Sequence, residues 1–259
     1  MGVNIVVCIK QTFDTEAKIV LDNNGQIDPN GVNMIINPYD EFAIEEGIRL
    51  KEKFGGEVTV VSLGGSRTQE ALRTALAMGA DKAILVSDAA LDRVDEWTVA
   101  EVLTKVVSGL AYDLILAGRI AIDDGSSQVA VRLAENLGIP SVSSVLKIEV
   151  NEGEATVMRE IDGGTELIAV NLPCLLTAQK GLNEPRYPSV AGIMKAKKKE
   201  LKSLTLQDLN MNAEDLVAKM QIARYSLPTP RQGGRKVPGD AAAAARELAR
   251  LLREEAKVL

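Results

Sequence analysis

Apolar and polar positions along the 259-residue chain fall into two rhythms. Residues 4–9, NIVVCI, form an unbroken apolar run, the pattern of a strand buried on both faces. Residues 40–54, DEFAIEEGIRLKEKF, set Phe42, Ala43, Ile44, Gly47, Ile48 and Leu50 among charges at helical spacing. Asp40 follows Asn-Pro-Tyr and is placed to cap that helix. The alternation continues with a strand over 57–63, a helix over 68–80 stopped by Gly79, a strand over 82–86 and a helix over 97–110. A strand over 113–118 and a helix over 128–138 follow, the latter with Val129, Leu133 and Leu137 on one face. Strands that alternate with helices predict a parallel, doubly wound sheet assembled from right-handed crossovers.

The rhythm changes after Pro140. Residues 144–150, 155–161 and 165–171 read as strands joined by the short turns NEGE and DGG, an antiparallel meander added to the sheet. Residues 173–178, PCLLTA, read as one more buried strand. From about Leu201 the pattern no longer reads as part of that core. Residues 227–240 form a Pro/Gly/Arg linker, and the last segment is a helix with Ala241, Ala244, Ala245, Leu248, Leu251 and Leu252 on one stripe. The expectation is therefore an α/β domain over residues 1–200 and a C-terminal arm over 201–259, ending in a helix that needs a surface to cover.

Composition narrows the function classes. Hydrophobic residues are 46% and aromatics only 3%, so the core must be aliphatic. A net charge of -6 and a pI near 5.0 argue against a general nucleic-acid binder. The chain has no histidine, which removes Ser-His-Asp and Cys-His catalysis and the common zinc sites. Cys8 and Cys174 lie far apart and form no C-x-x-C, so they read as small core residues in a reducing, cytoplasmic compartment. The opening segment lacks the features of a signal peptide, and no run of 18 apolar residues predicts a membrane span.

Three segments carry candidate chemistry. After the strand ending at Gly118 comes Asp123, Asp124, Gly125, Ser126, Ser127 and Gln128, directly before a helix. Such a loop suits either a phosphate on the helix N-terminus or an ordinary Ser/Asp cap. Residues 36–41, INPYDE, suit either a ligand turn built on Asn37 and Asp40 or a plain loop-to-helix transition. Neither G-x-x-x-x-G-K-[ST] nor G-x-G-x-x-G is present; SLGGS at 62–66 fits neither. The third segment is LNEPRYPSVAGIMKAKKKE, residues 182–200, an apolar, proline-bent loop running into Lys195, Lys197, Lys198 and Lys199. That cluster suits a solvated charge run, a nucleic-acid patch without aromatics, or a docking patch for an acidic partner.

The segments NIVVCIKQ, INPYDEFAIEEGIRLKEK, RTALAMGAD, LAGRIAIDDGSSQ, REIDGGTELIAVNLPCLLTA and LNEPRYPSVAGIMKAKKKE together resemble the electron transfer flavoprotein β-subunit family over nearly the whole chain. The resemblance implies a Rossmann-like domain over 1–200 that binds a nucleotide, and an arm over 201–259 that wraps an α subunit. It implies one redox-active FAD held mainly by the α subunit, with Tyr39 beside it, and an AMP of structural role in the β subunit. The AMP residues it implies are Cys8, Asn37, Tyr39, Asp40, Leu63, Gly118, Arg119, Ala121, Asp123, Gly125, Ser126, Ser127, Gln128 and Val129. The loop over 182–200 is implied to dock acyl-CoA dehydrogenases through Tyr187, Pro188, Val190, Ile193, Met194, Lys195, Lys197, Lys198 and Lys199, with Val190 where the family commonly has leucine.

The implied activity is outer-sphere electron transfer from such dehydrogenases to a membrane quinone oxidoreductase or another acceptor. The subunit itself needs no acid, base, nucleophile or metal, and is a carrier rather than an enzyme. One branch of the family takes electrons from NADH and holds a second FAD where others hold AMP. The Asp123–Asp124 pair matches the AMP type, while Gly125 and Val129 lean toward the other branch. A rival of another class is a stand-alone enzyme using an adenine nucleotide on a similar sheet.

Overall fold

The computed structural model describes residues 2–92, 94–231 and 233–259. The chain divides into two compact units. One runs to Lys18 and resumes from Pro29 to Ala223; the other comprises Ile19–Asp28 and Arg224–Leu259.

The larger unit is built on a nine-stranded sheet. Its strands are β1 (Ile5–Cys8), β4 (Val58–Leu63), β5 (Lys82–Val86), β6 (Leu114–Gly118), β7 (Ser141–Asn151), β8 (Glu154–Ile161), β9 (Gly164–Asn171), β10 (Cys174–Ala178) and β11 (Leu201–Leu204). Their order is β11-β5-β4-β1-β6-β10-β7-β8-β9. Pairing is parallel from β11 across to β7 and antiparallel through the β7-β8-β9 meander. A short antiparallel pair, β2 (Gln11–Phe13) with β3 (Met34–Ile36), stands apart from it. The expected α/β, mostly parallel doubly wound sheet with its meander is thus the observed architecture.

Alternation along β1 sorts the core into two layers. Ile5 and Val7 belong to one buried layer with Ile44 and Ile48 of α1 (Pro38–Phe54) and Leu72 and Leu76 of α2 (Thr68–Met78). Val6 and Cys8 face the other way, toward Val102 and Val106 of α3 (Glu96–Val107) and Leu133 of α4 (Val129–Leu137). Each such fully buried aliphatic side chain contributes about 1.5–3 kcal/mol of transfer free energy. Gly79 ends α2 as expected, with its N–H donating to the Ala75 carbonyl.

Two expectations are corrected. The first helix starts at Pro38, with Asn37 in the N-cap position, so Asp40 is not the cap. Proline suits the first helical position because its missing N–H would have no partner there. The core also does not stop at Leu201. Strand β11 pairs with β5 from Leu201↔Ala83 to Leu204↔Val86, and Leu206 and Leu209 are buried beneath α3's layer. The boundary between units falls after Ala223, not after residue 200. In the smaller unit, α6 (Ala241–Glu254) is capped by Asp240, whose carboxylate accepts the Ala243 N–H at 2.8 Å. None of the residues of α6 is buried, and its Leu248 is 47% exposed.

Candidate functional site

Strand order sets the place of the first site. The chain leaves β1 toward β4 and β5, then crosses back through α3 to β6 on the other side of β1. The carboxyl ends of β1 and β6 therefore flank a topological switch point, where doubly wound sheets hold ligands. Cys8 ends β1 and Gly118 ends β6, in register with Cys8 opposite Ala117.

Asp40 ties these two ends together from the first turn of α1. Its carboxylate accepts the Lys10 N–H at 2.6 Å and the Gly118 N–H at 2.9 Å, and also a side-chain N–H from Asn37 at 3.1 Å. The helix comes so close that a Cβ on Gly118 would lie 2.3 Å from Asp40 Oδ1 and 2.7 Å from Tyr39 Cβ. Burial pushes the Asp40 carboxyl up to about 7, against the pull of its three donors and of the Lys10 charge. Asn37 clips the following loop. Its Nδ2 donates to the Ile120 carbonyl at 2.9 Å, and its Oδ1 accepts the Ile122 N–H at 3.1 Å. Asn37 and Asp40 thus spend their polar atoms on shaping the crevice.

Beyond them Lys10 ties the loop down. Lys10 Nζ bonds Asp123 at 2.9 Å and Asp124 at 2.7 Å. Burial works against the Lys10 charge, but these two carboxylates more than offset it and hold the ammonium above the usual lysine range. Asp124 also accepts the Ser126 N–H at 2.8 Å, and the Gly125 N–H donates to Ala121. Gly125 (φ 67°) and Ser127 (φ 55°) take left-handed backbone, which turns the chain into α4. Gln128 stands at the N-cap of α4 without a side-chain cap bond, so the first amides of α4 have no side-chain acceptor from it. Arg119 lies over the Tyr39 ring at 5.9 Å, and its buried Nε has no hydrogen-bond partner among the described residues.

The crevice brings together Cys8, Asn37, Tyr39, Asp40, Gly118, Arg119 and the loop from Ala121 to Val129. Leu63 ends β4 at the same edge of the sheet. The Cys8 thiol is buried and pushed up to about 12, chiefly by burial, so it packs rather than reacts. Lys10 is the residue sequence reasoning missed. Its signal was a cation directly past a buried strand in a chain that also carries an adjacent Asp pair.

The second site is the loop over 182–200. Tyr187 is 95% exposed, Val190 80% and Met194 61%, with Ile193 beside them. A short helix, α5 (Val190–Ala196), carries the last three, capped by Ser189 accepting the Gly192 N–H at 3.0 Å. Lys195, Lys197 and Lys198 are exposed, but Lys199 is not free. Its ammonium donates to the carbonyls of Leu76 and Ala80, at 3.0 and 2.5 Å, at the end of α2.

Fold and site together define a doubly wound α/β subunit whose β1 and β6 ends meet at a topological switch point, with a separate apolar loop exposed on its surface. A family model for the electron transfer flavoprotein domain matches residues 24–209. The chain is 49% identical to electron transfer flavoprotein subunit beta of Bacillus subtilis, covering 99% of this chain and all of that one. It is 39% identical to the subunit of that name from Homo sapiens, over 90% of this chain and 92% of the relative. It is also 38% identical to subunit CarD of the caffeyl-CoA reductase-Etf complex of Acetobacterium woodii, over 91% and 92% of the two chains. The chain belongs to the electron transfer flavoprotein β-subunit family. Membership carries a role in electron transfer as a carrier subunit, with flavin and an α subunit as its associates. Among the described residues, no helix is long and apolar enough to cross a membrane.

Proposed function

We propose that this chain is the β half of a heterodimer that takes electrons from acyl-CoA-type dehydrogenases into an FAD held mainly by its α partner. It then delivers them to a membrane quinone oxidoreductase or another acceptor. In this reading the crevice between β1 and β6 binds AMP for stability, the loop over 182–200 docks the dehydrogenase, and the chain beyond Ala223 wraps the α subunit. Electrons pass by outer-sphere transfer, and FAD supplies the redox chemistry when bound. The chain's own residues bind, orient and exclude water.

The observation that carries the reading is the crevice braced by Asp40, Asn37 and Lys10. Asn37 and Lys10 hold the loop by Ile120, Ile122, Asp123 and Asp124. The residues present fit an adenylate. The α4 amides receive no side-chain cap from Gln128, a Cβ on Gly125 would meet nothing within 4 Å, and Arg119 keeps a buried N–H without a partner. The α4 amides suit a phosphate at a helix N-terminus. Asp123 and Asp124 would repel one, but Lys10 holds both carboxylates.

The test is nucleotide extraction from the heterodimer produced with its α subunit. One FAD and one AMP are expected per heterodimer. Two FAD and no AMP would instead assign the chain to the branch that splits electrons from NADH. No flavin at all, with ATP turnover by the isolated chain, would replace the reading with that of a stand-alone nucleotide-using enzyme.

A further inference from the structure

The exposed apolar side chains over 187–194 sit between two clamps, and the family relationship does not assign a role to either. On the upstream side, α1 presents two neighbouring carboxylates that are nearly inaccessible, Glu45 at 2% and Glu46 at 8% exposure. Burying adjacent like charges is costly unless each is fully paired. Here both are turned to the loop. Glu45 accepts the Arg186 N–H at 3.1 Å and its guanidinium at 2.8 and 3.1 Å, while Arg49 holds its other flank at 2.8 Å. The remaining fork of Arg186 reaches Glu52 at 2.6 and 3.0 Å. Asn183 donates to Glu46 at 2.9 Å and to the Phe42 carbonyl at 3.0 Å. Burial works against the Glu45 charge, but Arg186 and Arg49 hold its carboxyl below the usual range.

The downstream clamp is made on α2. Arg73 donates to the carbonyls of Ala196 and Lys199 at 2.7 and 2.9 Å, and Lys199 returns bonds to the end of α2. Between the clamps, α5 lies so close to α2 that a Cβ on Gly192 would sit 2.4 Å from the Ala77 carbonyl oxygen. The exposed apolar stretch from Tyr187 to Met194 is held at both roots by charge-assisted bonds, and its helix is fixed by a backbone approach only glycine permits at 192.

We propose that Arg186, gripped by Glu45 and Glu52, is a positioning residue for partner docking: it presets the angle at which Tyr187, Val190 and Met194 leave the protein. The proposal rests on the docking reading. Preorganisation lowers the ordering cost of binding, so loss of the clamp weakens docking without touching the crevice or the flavin. Arginine is required because its planar fork spans two carboxylates, whereas lysine can satisfy one at a time.

The experiment uses the heterodimer with an acyl-CoA dehydrogenase as electron donor, comparing Arg186→Gln, Arg186→Lys and Val190→Asp. Arg186→Gln is expected to raise the KM for dehydrogenase about tenfold with the limiting rate and flavin content unchanged, and Arg186→Lys to fall between it and the parent. Amide hydrogen exchange over 183–199 should accelerate in Arg186→Gln while exchange over 118–130 stays as in the parent. Faster exchange with an unchanged KM would overturn the proposal, as would unchanged exchange. In either case Val190→Asp still raises the KM if the docking reading holds. An unchanged KM in Val190→Asp would instead remove the docking reading itself.

Discussion

Asp40 holds the ends of two strands with one carboxylate, and its environment makes it sensitive to pH. Its carboxyl is raised from 3.8 to about 7 by burial. A group raised in the fold contributes stability that is complete below its unfolded value and is lost as pH rises through its folded value. The parent should therefore lose stability between about pH 4 and 7 relative to Asp40→Asn, which cannot titrate. Urea midpoints of both across that range provide the check, and parallel curves would rule out the assignment. Gly118 is the second test at this scale. Gly118→Ala must push α1 away from β6, at about 1–3 kcal/mol, and should release bound adenylate while leaving the FAD of the α partner in place. Nucleotide extraction from that variant would show the loss. Lys199 belongs here too: its ammonium is spent on α2, so reversing only Lys197 and Lys198 probes docking without breaking a clamp.

Among the elements, β11 separates what the pattern revealed from what it concealed. Long strands and amphipathic helices announce themselves by their periods, and the parallel sheet, the meander and α6 were legible on that basis. Strand β11 is four residues at the sheet's edge, LKSL, with two exposed positions, too short to show a period and easily read as linker. The β2–β3 pair, three residues each, gave no signal for the same reason. Asp40 was legible as important but not in its role, because an acid after Asn-Pro-Tyr reads as a cap until the strand ends it ties are seen in space. Arg186 and Glu45 lie 141 positions apart, a pairing no local pattern contains. The element-scale prediction follows from β11. A chain ended after Ala223 should keep a single cooperative unfolding transition, whereas one ended at Glu200 loses β11, Leu206 and Leu209 and should not. Leu206→Ala in the full chain should cost about 2–4 kcal/mol. Calorimetry or circular dichroism melts on the truncated chains would reveal a mistaken boundary if both behaved alike.

For the molecule as a whole, the switch-point loop and the apolar loop over 182–200 are both organised by α1: Asn37 and Asp40 at its start brace residues 118–122, and Glu45, Glu46 and Glu52 hold Asn183 and Arg186. Charge completes the division of labour. The chain is acidic overall, with a net charge of -6, yet it places Lys195, Lys197 and Lys198 beside its most exposed apolar side chains. Lysines at the rim of an interface act mainly on association rate and lose force as salt shortens the screening length. Reversing Lys197 and Lys198 should slow flavin reduction by roughly tenfold at low ionic strength, with the difference vanishing near 1 M salt.

The most direct test of the account is the rate at which a substrate-reduced acyl-CoA dehydrogenase bleaches the flavin absorbance of the heterodimer, measured for the parent and for Val190→Asp. Rapid bleaching that saturates with dehydrogenase is expected in the parent, and a much higher dehydrogenase concentration for half-saturation in the variant. Bleaching that is absent in the parent, or identical in the two, would contradict it.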